Sequence, residues 1–245
     1  MINFGLIGRS LSHSFSKTYF DKKFKEQGLT DHKYQNFELE NIEQFKKVLA
    51  TENLKGLNVT NPYKEDIIPF LDMLSVEAKE IGAVNCIKIE NNKTTGYNTD
   101  AYGFGQSIKP FLDTTHERAL ILGTGGASKA VAYALKKIGV EVFFVSTSAK
   151  KNTNTFFYDE INERVMDAFK LIINTTPLGL YPNTVESPAL PYHLFTDKHL
   201  AYDLIYNPEQ TAFLKQAKEK GATTINGLSM LHLQAEKSWE IWCLV

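Results

Sequence analysis

The sequence predicts an α/β protein of two lobes, each built around a parallel sheet, the second of them doubly wound. Three observations carry that expectation. Strand-like and helix-like stretches alternate almost from end to end. A short apolar run, Arg118–Leu122, breaks into the turn Gly123-Thr124-Gly125-Gly126 and then into a helix-forming stretch. A second βαβ series starts at that point, after the strands of a first sheet have already been laid down.

In the first third, a strand over 2–7 is followed by a helix over 15–26, a strand over 33–38, a helix over 42–50 and a strand over 56–59. That order implies parallel pairing, because each return to the sheet passes through a helix. A further strand over 84–89 turns at Asn91-Asn92 into 94–98, a hairpin with the residues a tight two-residue turn demands. A helix over 99–112 reads as a connector. The second series places strands near 118–122, 140–145, 170–173, 200–205 and 223–225 with helices between them. The last helix, 228–242, follows once that sheet is complete, and is expected to fold back on the first lobe. The domain boundaries read from this pattern are 1–100, completed by 227–245, and 101–226. Two such lobes present ligands with the carboxyl ends of their strands.

The glycine turn carries the most specific local chemistry. Gly123 permits the tight turn, Gly125 and Gly126 let backbone N–H groups approach a pyrophosphate, and the small Ser128 and Ala130 let the new helix lie close to its strand. Its setting, with an apolar strand before it and a helix ending at Gly139 after it, favours a dinucleotide site over an ordinary turn.

Composition excludes other classes. Hydrophobic residues make up 43% of the chain, enough for ordinary cores, and acids and bases are interspersed to a net charge of -1, so there is no nucleic-acid footprint and no polybasic membrane patch. Cys86 and Cys243 stand far apart without partners for a disulfide or a zinc site, and read as packed thiols of a reducing compartment. No metal site is expected. The N-terminus lacks the features of a secretion signal and no apolar run is long enough to span a bilayer, so the expectation is a cytoplasmic protein with a small-molecule partner.

Polar residues gather at the strand ends of the first lobe. After the first strand come Ser10, Ser12, Ser14 and Ser16; Ser14 or Ser16 suits an N-cap, and a helix start ringed with hydroxyls also suits a carboxylate. His13 in this loop reads as structural. The third strand ends in Asn58-Val59-Thr60-Asn61-Pro62-Tyr63-Lys64, and the hairpin ends in Asn98-Thr99-Asp100. Lys64 reads either as a solvated lysine or, if the two ends meet, as the partner of Asp100 in proton transfer, with Asn85 as a neutral hydrogen-bonding arm; Asp100 reads equally as a helix cap.

These stretches together resemble the shikimate dehydrogenase family: the serine pair, N-V-T-x-P-x-K, G-A-x-N and G-x-N-T-D, then the glycine turn, Asn174–Gly179, Asp203–Pro208 with Thr211, and Gly227–Ala235, all in the family's order over nearly the whole chain. The resemblance implies a substrate-binding α/β lobe joined to a Rossmann-type lobe. It implies NADP(H)-dependent reduction of 3-dehydroshikimate to shikimate, within aromatic amino-acid biosynthesis, by a monomer or homodimer. By matching position, it implies Lys64 and Asp100 as catalytic residues. Ser14 and Ser16 fall on the carboxylate-binding pair, and Thr60, Asn85, Tyr206 and Gln234 on residues that grip the ring. Gly123, Gly125, Gly126, Ala127, Ser146, Thr147, Ser148, Lys150, Thr175 and Gly227 would contact the cofactor.

Several positions depart from the family pattern. Ser10 and Lys17 replace prolines common in the serine loop, and Cys86 replaces a usual threonine. Thr147 stands where an arginine commonly clamps the adenosine 2′-phosphate, yet no acidic residue is present there to hold a free ribose, and Ser146, Ser148, Lys150 and Lys151 are placed to receive a phosphate. NADP is therefore expected over NAD. The alternatives are an NAD-using quinate/shikimate dehydrogenase, a methylenetetrahydrofolate dehydrogenase, which the serine pair and the C-terminal motif fit poorly, and an inactive metabolite sensor, against which Lys64 and Asp100 speak.

Overall fold

The computed structural model describes residues 1–12, 14–147 and 153–243. His13, Ser148, Lys150 and Lys151 lie outside the described residues. The chain divides into two compact units, Met1–Thr99 with Ala235–Val245, and Asp100–Gln234.

The first unit holds one sheet made of β1 (Ile2–Gly8), β2 (His32–Glu38), β3 (Leu54–Val59), β4 (Met73–Leu74), β5 (Cys86–Glu90) and β6 (Lys93–Tyr97), in the order β2-β1-β3-β5-β6-β4. The crossovers through α1 (Phe15–Glu26) and α2 (Phe45–Leu49) leave β1 parallel to both of its neighbours, as the alternation predicts. The hairpin is also where expected: Glu90 pairs with Lys93, and Asn91 and Asn92 between them take φ of 51° and 58°, the left-handed values of a two-residue turn. The predicted helix over 42–50 begins as a 3₁₀ turn, Ile42–Gln44, before α2. Two elements were not foreseen. The strand β4 has only two residues, too few for a period of two to register, and α3 (Val76–Ile81) has six. The latter is legible only from its ends, where Ser75 Oγ accepts the N–H of Ala78 at 3.1 Å and Gly82 closes the helix at φ 71°.

In the second unit, β7 (Arg118–Leu122), β8 (Glu141–Ser146), β9 (Thr155–Phe157), β10 (Leu171–Asn174), β11 (Leu200–Asp203) and β12 (Thr223–Ile225) form the order β12-β11-β10-β7-β8-β9. Every adjacent pair is parallel. This is the doubly wound order, and the direction of winding reverses between β7 and β10, the point at which open α/β sheets bind ligands. The alternation of each strand feeds two cores: Leu120, Leu122 and Ile172 face one cluster, while Ala119, Ile121, Leu171 and Ile173 face the other. The segment 99–112 is not a mere connector. It forms α4 (Asp100–Ile108), capped by the 3₁₀ turn Lys109–Phe111 where Pro110 lacks an N–H, and its Phe104 and Ile108 are fully buried in the core of this unit. Strand β9 was missed as well. The remaining helices are α5 (Gly126–Lys137), α6 (Glu163–Ala168), α7 (Ala212–Lys218) and α8 (Leu228–Cys243).

The C-terminal part of α8 completes the first unit. Ala235, Ile241 and Trp242 are buried with Phe4, Leu6, Phe20, Phe24 and Tyr34, and Trp242 Nε1 donates to the carbonyl of Ile87 at 3.0 Å. On its outer side, Glu236 accepts from Tyr19 Oη and from Lys23 Nζ, the latter at 2.7 and 2.8 Å. Of the two expected packed thiols only Cys86 is buried; Cys243, in the last turn of α8, is exposed because the helix face that carries it looks outward. Among the described residues, no helix is long and apolar enough to cross a membrane, and no group of His, Cys, Asp and Glu could hold a metal ion.

A methyl group on Gly56 of β3 would lie 2.4 Å from the indole of Trp242, inside van der Waals contact. Gly56→Ala is therefore expected to destabilise the protein by about 1–3 kcal/mol, as overpacking of a dense core does. Urea unfolding followed by tryptophan fluorescence measures it, and an unchanged midpoint would mean that the indole is not held against β3.

Candidate active site

The register of the first sheet sets its polar loops side by side. Ile7 of β1 pairs with Val59 of β3, so the serine loop and the segment Thr60–Lys64 leave the sheet at the same end. Backbone bonds then tie the segments together: Thr60 N–H donates to Ile7 at 2.9 Å, Val59 N–H to Asn85 at 2.9 Å and Val84 N–H to the carbonyl of Lys64 at 2.7 Å. Tyr63, buried, anchors the turn by donating its hydroxyl to the carbonyl of Leu39 at 2.6 Å. Lys64 emerges half-buried beside Asn85, which is buried. The amide of Asn85 is oriented by the backbone: its Oδ1 accepts Thr99 N–H at 2.6 Å and its Nδ2 donates to Thr99 Oγ1 at 2.9 Å.

The two serines differ. Ser14 stands at the N-cap position of α1, but its side chain makes no capping bond, and its Oγ is buried without a hydrogen-bond partner. Such an atom is costly unless something else binds it. Ser16 neighbours Tyr34, whose hydroxyl burial pushes well above its usual range while the Ser16 hydroxyl pulls the other way. The expected N-cap therefore fails chemically although it holds in position.

In the second unit the glycine turn sits at the reversal of winding. Gly123 takes φ 104°, and Gly125 caps α5 with nothing within 4 Å of where a side chain would begin. The start of this twelve-residue helix therefore borders open space at Gly125, and its first N–H groups have no acceptor within the helix, the form an anion site takes. Gly126 and Ala127 open the helix, and buried Ser128 donates its hydroxyl to Gly125 at 2.6 Å. At the end of the neighbouring β10, Thr175 braces the turn, donating both its N–H, at 3.0 Å, and its hydroxyl, at 2.6 Å, to the carbonyl of Leu122. Ser146, buried, and Thr147, exposed, end the neighbouring β8.

The remaining candidates also lie in this unit. Tyr206 is half-buried, and burial raises its hydroxyl's pKa. Gly227 donates its N–H to Ile205 at 3.0 Å, and any side chain there would run into the carbonyl of Leu204 at 2.0 Å, so its smallness serves backbone packing beside Tyr206. Gln234 is buried and donates to the carbonyl of Leu231 at 3.0 Å. Asp100, also buried, is the first residue of α4. Lys64, Ser14, Ser16, Thr60 and Asn85 thus belong to the first unit, and Asp100 and Gln234 to the second.

Residues 6–87 match the family described as the shikimate dehydrogenase substrate binding domain. Over 253 residues the chain is 41% identical to the shikimate dehydrogenase (NADP(+)) of Methanococcus aeolicus, covering 97% of this chain and 90% of that protein. It belongs to the shikimate dehydrogenase family. Among solved structures, the shikimate dehydrogenase from Aquifex aeolicus superposes with a TM-score of 0.88 at 38% identity, over 99% of this chain and 92% of that one. The shikimate 5-dehydrogenase from Thermus thermophilus, in complex with NADP(H) and shikimate, gives a TM-score of 0.86 at 31% identity, over 99% and 94%.

The motif Asp203–Pro208 with Thr211 holds an organising group to which the sequence assigned no role. Asp203, at the end of β11, is wholly buried, with its Oδ1 accepting from Asn174 Nδ2 at 3.1 Å and Ile205 N–H at 3.1 Å, and its Oδ2 accepting from Thr211 Oγ1 at 2.6 Å. Asn174 in turn accepts from Thr176 N–H and Oγ1 at 3.0 and 2.6 Å. One carboxylate thus joins the loop of Thr175 to the loop of Tyr206. The available signal was a carboxylate at the end of an apolar strand, with threonine eight residues on.

Burial pushes the Asp203 carboxyl up to about 6, outweighing the hydrogen bonds that lower it. A carboxyl raised in the folded state favours folding most below its unfolded value and loses that contribution as pH rises through its folded one. Deprotonation over that window is expected to cost roughly 2–4 kcal/mol of stability. Asp203→Asn removes this dependence, so the stability difference between variant and wild type should shift toward the variant from pH 4 to pH 7. Denaturant titrations at several pH values test this, and parallel curves would contradict it.

Proposed function

We propose that this protein is an NADP-dependent shikimate dehydrogenase, an oxidoreductase interconverting 3-dehydroshikimate and shikimate in aromatic amino-acid biosynthesis. The observation that carries the reading is identity of about two residues in five, across nearly the full length, to enzymes of that name. What supports the roles of individual residues is the chemistry of the two units.

A dinucleotide fits the second unit, because the open space above Gly125 and the free helix start of α5 leave room for a pyrophosphate. Gly123, Gly125, Gly126 and Ala127 would hold it, with Thr175 and Gly227 shaping the site and Ser146 and Thr147 toward the adenosine ribose; Ser148 and Lys150 are assigned there from sequence. When bound, the reduced dinucleotide supplies the hydride.

The rest falls to the protein's own side chains. Ser14, with a buried hydroxyl that has no partner, donates to the substrate carboxylate, and Ser16 lies beside it. Thr60, Asn85, Tyr206 and Gln234 grip the ring's hydroxyls, and a site with that many fixed polar groups rejects analogues lacking one. Lys64 gives its Nζ proton to the carbonyl oxygen as the alkoxide forms, and takes it back in the oxidation; Asp100 orients the lysine and a substrate hydroxyl. With neither Cys86 nor Cys243 in a disulfide, we place the enzyme in the cytoplasm, as a monomer or homodimer.

Lys64→Ala should lower kcat by roughly 10²- to 10⁴-fold with little change in KM for shikimate. Steady-state oxidation of shikimate with NADP measures this, and wild-type turnover in the variant would sink the assignment.

The cofactor preference is expected to be modest. Thr147 offers no bidentate fork to a 2′-phosphate, so selectivity for NADP over NAD should weaken as salt rises. Thr147→Arg should sharpen it by ~1–2 kcal/mol. The ratio of kcat/KM for the two cofactors at low and high salt decides this; a wild type that prefers NAD would overturn it and bring the quinate/shikimate reading forward.

A further inference from the structure

The first unit contains a continuous line of buried polar side chains, set within an otherwise aromatic core. Tyr34 Oη donates to Asn58 Oδ1 at 2.8 Å. Asn58 Nδ2 donates to the carbonyl of Asn85 at 3.2 Å and to Ser238 Oγ at 2.9 Å. Ser238 Oγ lies 3.2 Å from Thr99 Oγ1, which receives the 2.9 Å bond from Asn85 Nδ2. Tyr34 and Ser238 have no measurable exposure, Thr99 has 1%, Asn85 3% and Asn58 5%.

The orientations of both amides follow from their backbone partners. A backbone carbonyl only accepts, so the contact with Asn85 requires the nitrogen of the Asn58 amide on that side and leaves Oδ1 for Tyr34. Both hydrogens of Asn58 Nδ2 are then used, on Asn85 and on Ser238. Asn85 is fixed likewise, because Thr99 N–H at 2.6 Å needs its Oδ1. Thr99 Oγ1 accepts the Nδ2 hydrogen of Asn85, and Ser238 is the hydroxyl through which Thr99 and Asn58 are joined.

We infer that Ser238 is a positioning residue: its hydroxyl, buried between Asn58 and Thr99, holds the Thr99–Asn85 pair in the orientation that presents the Asn85 amide to the substrate ring. This rests on the reading of the protein as a shikimate dehydrogenase. Ser238 itself touches neither substrate nor cofactor in this account. It acts through Thr99, one residue before Asp100 in the chain, and nothing in the family motifs singles it out. Its place follows from helix spacing, because Ser238 is four residues after Gln234 on α8 and so lies on the same face of the helix.

A network of this kind should respond as a unit, which separates positioning from simple packing. Ser238→Ala is expected to raise KM for shikimate on the order of tenfold, as loss of one buried hydrogen bond would. KM for NADP should change by less than about twofold, because the cofactor contacts lie in the other unit. Thr99→Val, nearly isosteric, should reproduce the shift. The double variant should be no worse than about the larger single effect, since either change cuts the same line. Ser238→Thr, which returns a hydroxyl, should recover most of the wild-type KM. Circular dichroism and thermal melts on all four variants establish folding. The inference is overturned if KM for shikimate stays at the wild-type value in folded Ser238→Ala, if the two single effects multiply, or if both cofactor and substrate KM rise together. Failure of the wild type itself to oxidise shikimate would instead overturn the functional reading, and the inference with it. If Ser238→Ala does not fold, Ser238→Cys, close in size and a weak hydrogen-bonding group, carries the same test on the KM split.

Discussion

The contact of Trp242 with Gly56 is the constraint on which the first unit depends. The indole fills the space a side chain on β3 would otherwise take, and its N–H satisfies the carbonyl of Ile87. Phe4, Phe20 and Tyr34 close around it, with ring centroids 5.0, 5.3 and 6.4 Å from that of Trp242. A sheet of this size with one open face would leave a large apolar area in water, and the end of α8 covers it. Seating that helix also delivers Ser238 to Asn58 and Thr99 and Glu236 to Tyr19 and Lys23. The last residues of the chain thereby organise polar groups contributed by its first hundred.

A related economy governs the second unit. Its strands are apolar along their length and end in groups that must be satisfied locally: Leu122 in Thr175, Asn174 and Asp203 in each other. The strands of a parallel sheet buried on both faces have no room for chemistry except at their ends. There, backbone donors at the start of α5 are left without an acceptor within the helix, while the loops around them are pinned by buried side-chain bonds. Rigidity of the loops and openness of the helix start arise from the same arrangement, which suits recognition of a charged, flexible cofactor.

The first unit uses its strand ends differently. Its sheet is mixed, and β5 and β6 run antiparallel to put Asn85 and Thr99 at the same end as Thr60 and Lys64. The side chains there are amides and hydroxyls, each with donor and acceptor sides, and the backbone settles which side faces which neighbour. Among the described residues of this unit, Ser14 Oγ and Asn36 Oδ1 are buried without a hydrogen-bond partner, next to groups that satisfy one another. The Ser14 hydroxyl is most readily explained as one kept for a ligand.

The sequence alone determined the alternation of elements, the parallel pairing of β1 with β2 and β3 and of the whole second sheet, the Asn91-Asn92 hairpin and the site of the glycine turn. Each is set by periodicity or by backbone demands of neighbouring residues, and is therefore written locally. The residues proposed for the chemistry were legible too, because they lie in short motifs at strand ends. Tertiary structure alone decided the short elements β4 and β9, whose two and three residues carry no measurable period and exist only as partners of a longer strand. It also placed α4 in the core of the second unit, exposed Cys243, withheld a capping bond from Ser14, and gave Asp203 and Ser238 their partners. These depend on contacts between residues far apart in the chain, such as the 180 positions between Asn58 and Ser238. No local pattern encodes them, because a serine on a helix or an aspartate at a strand end reads the same whether its partner is water or a buried amide.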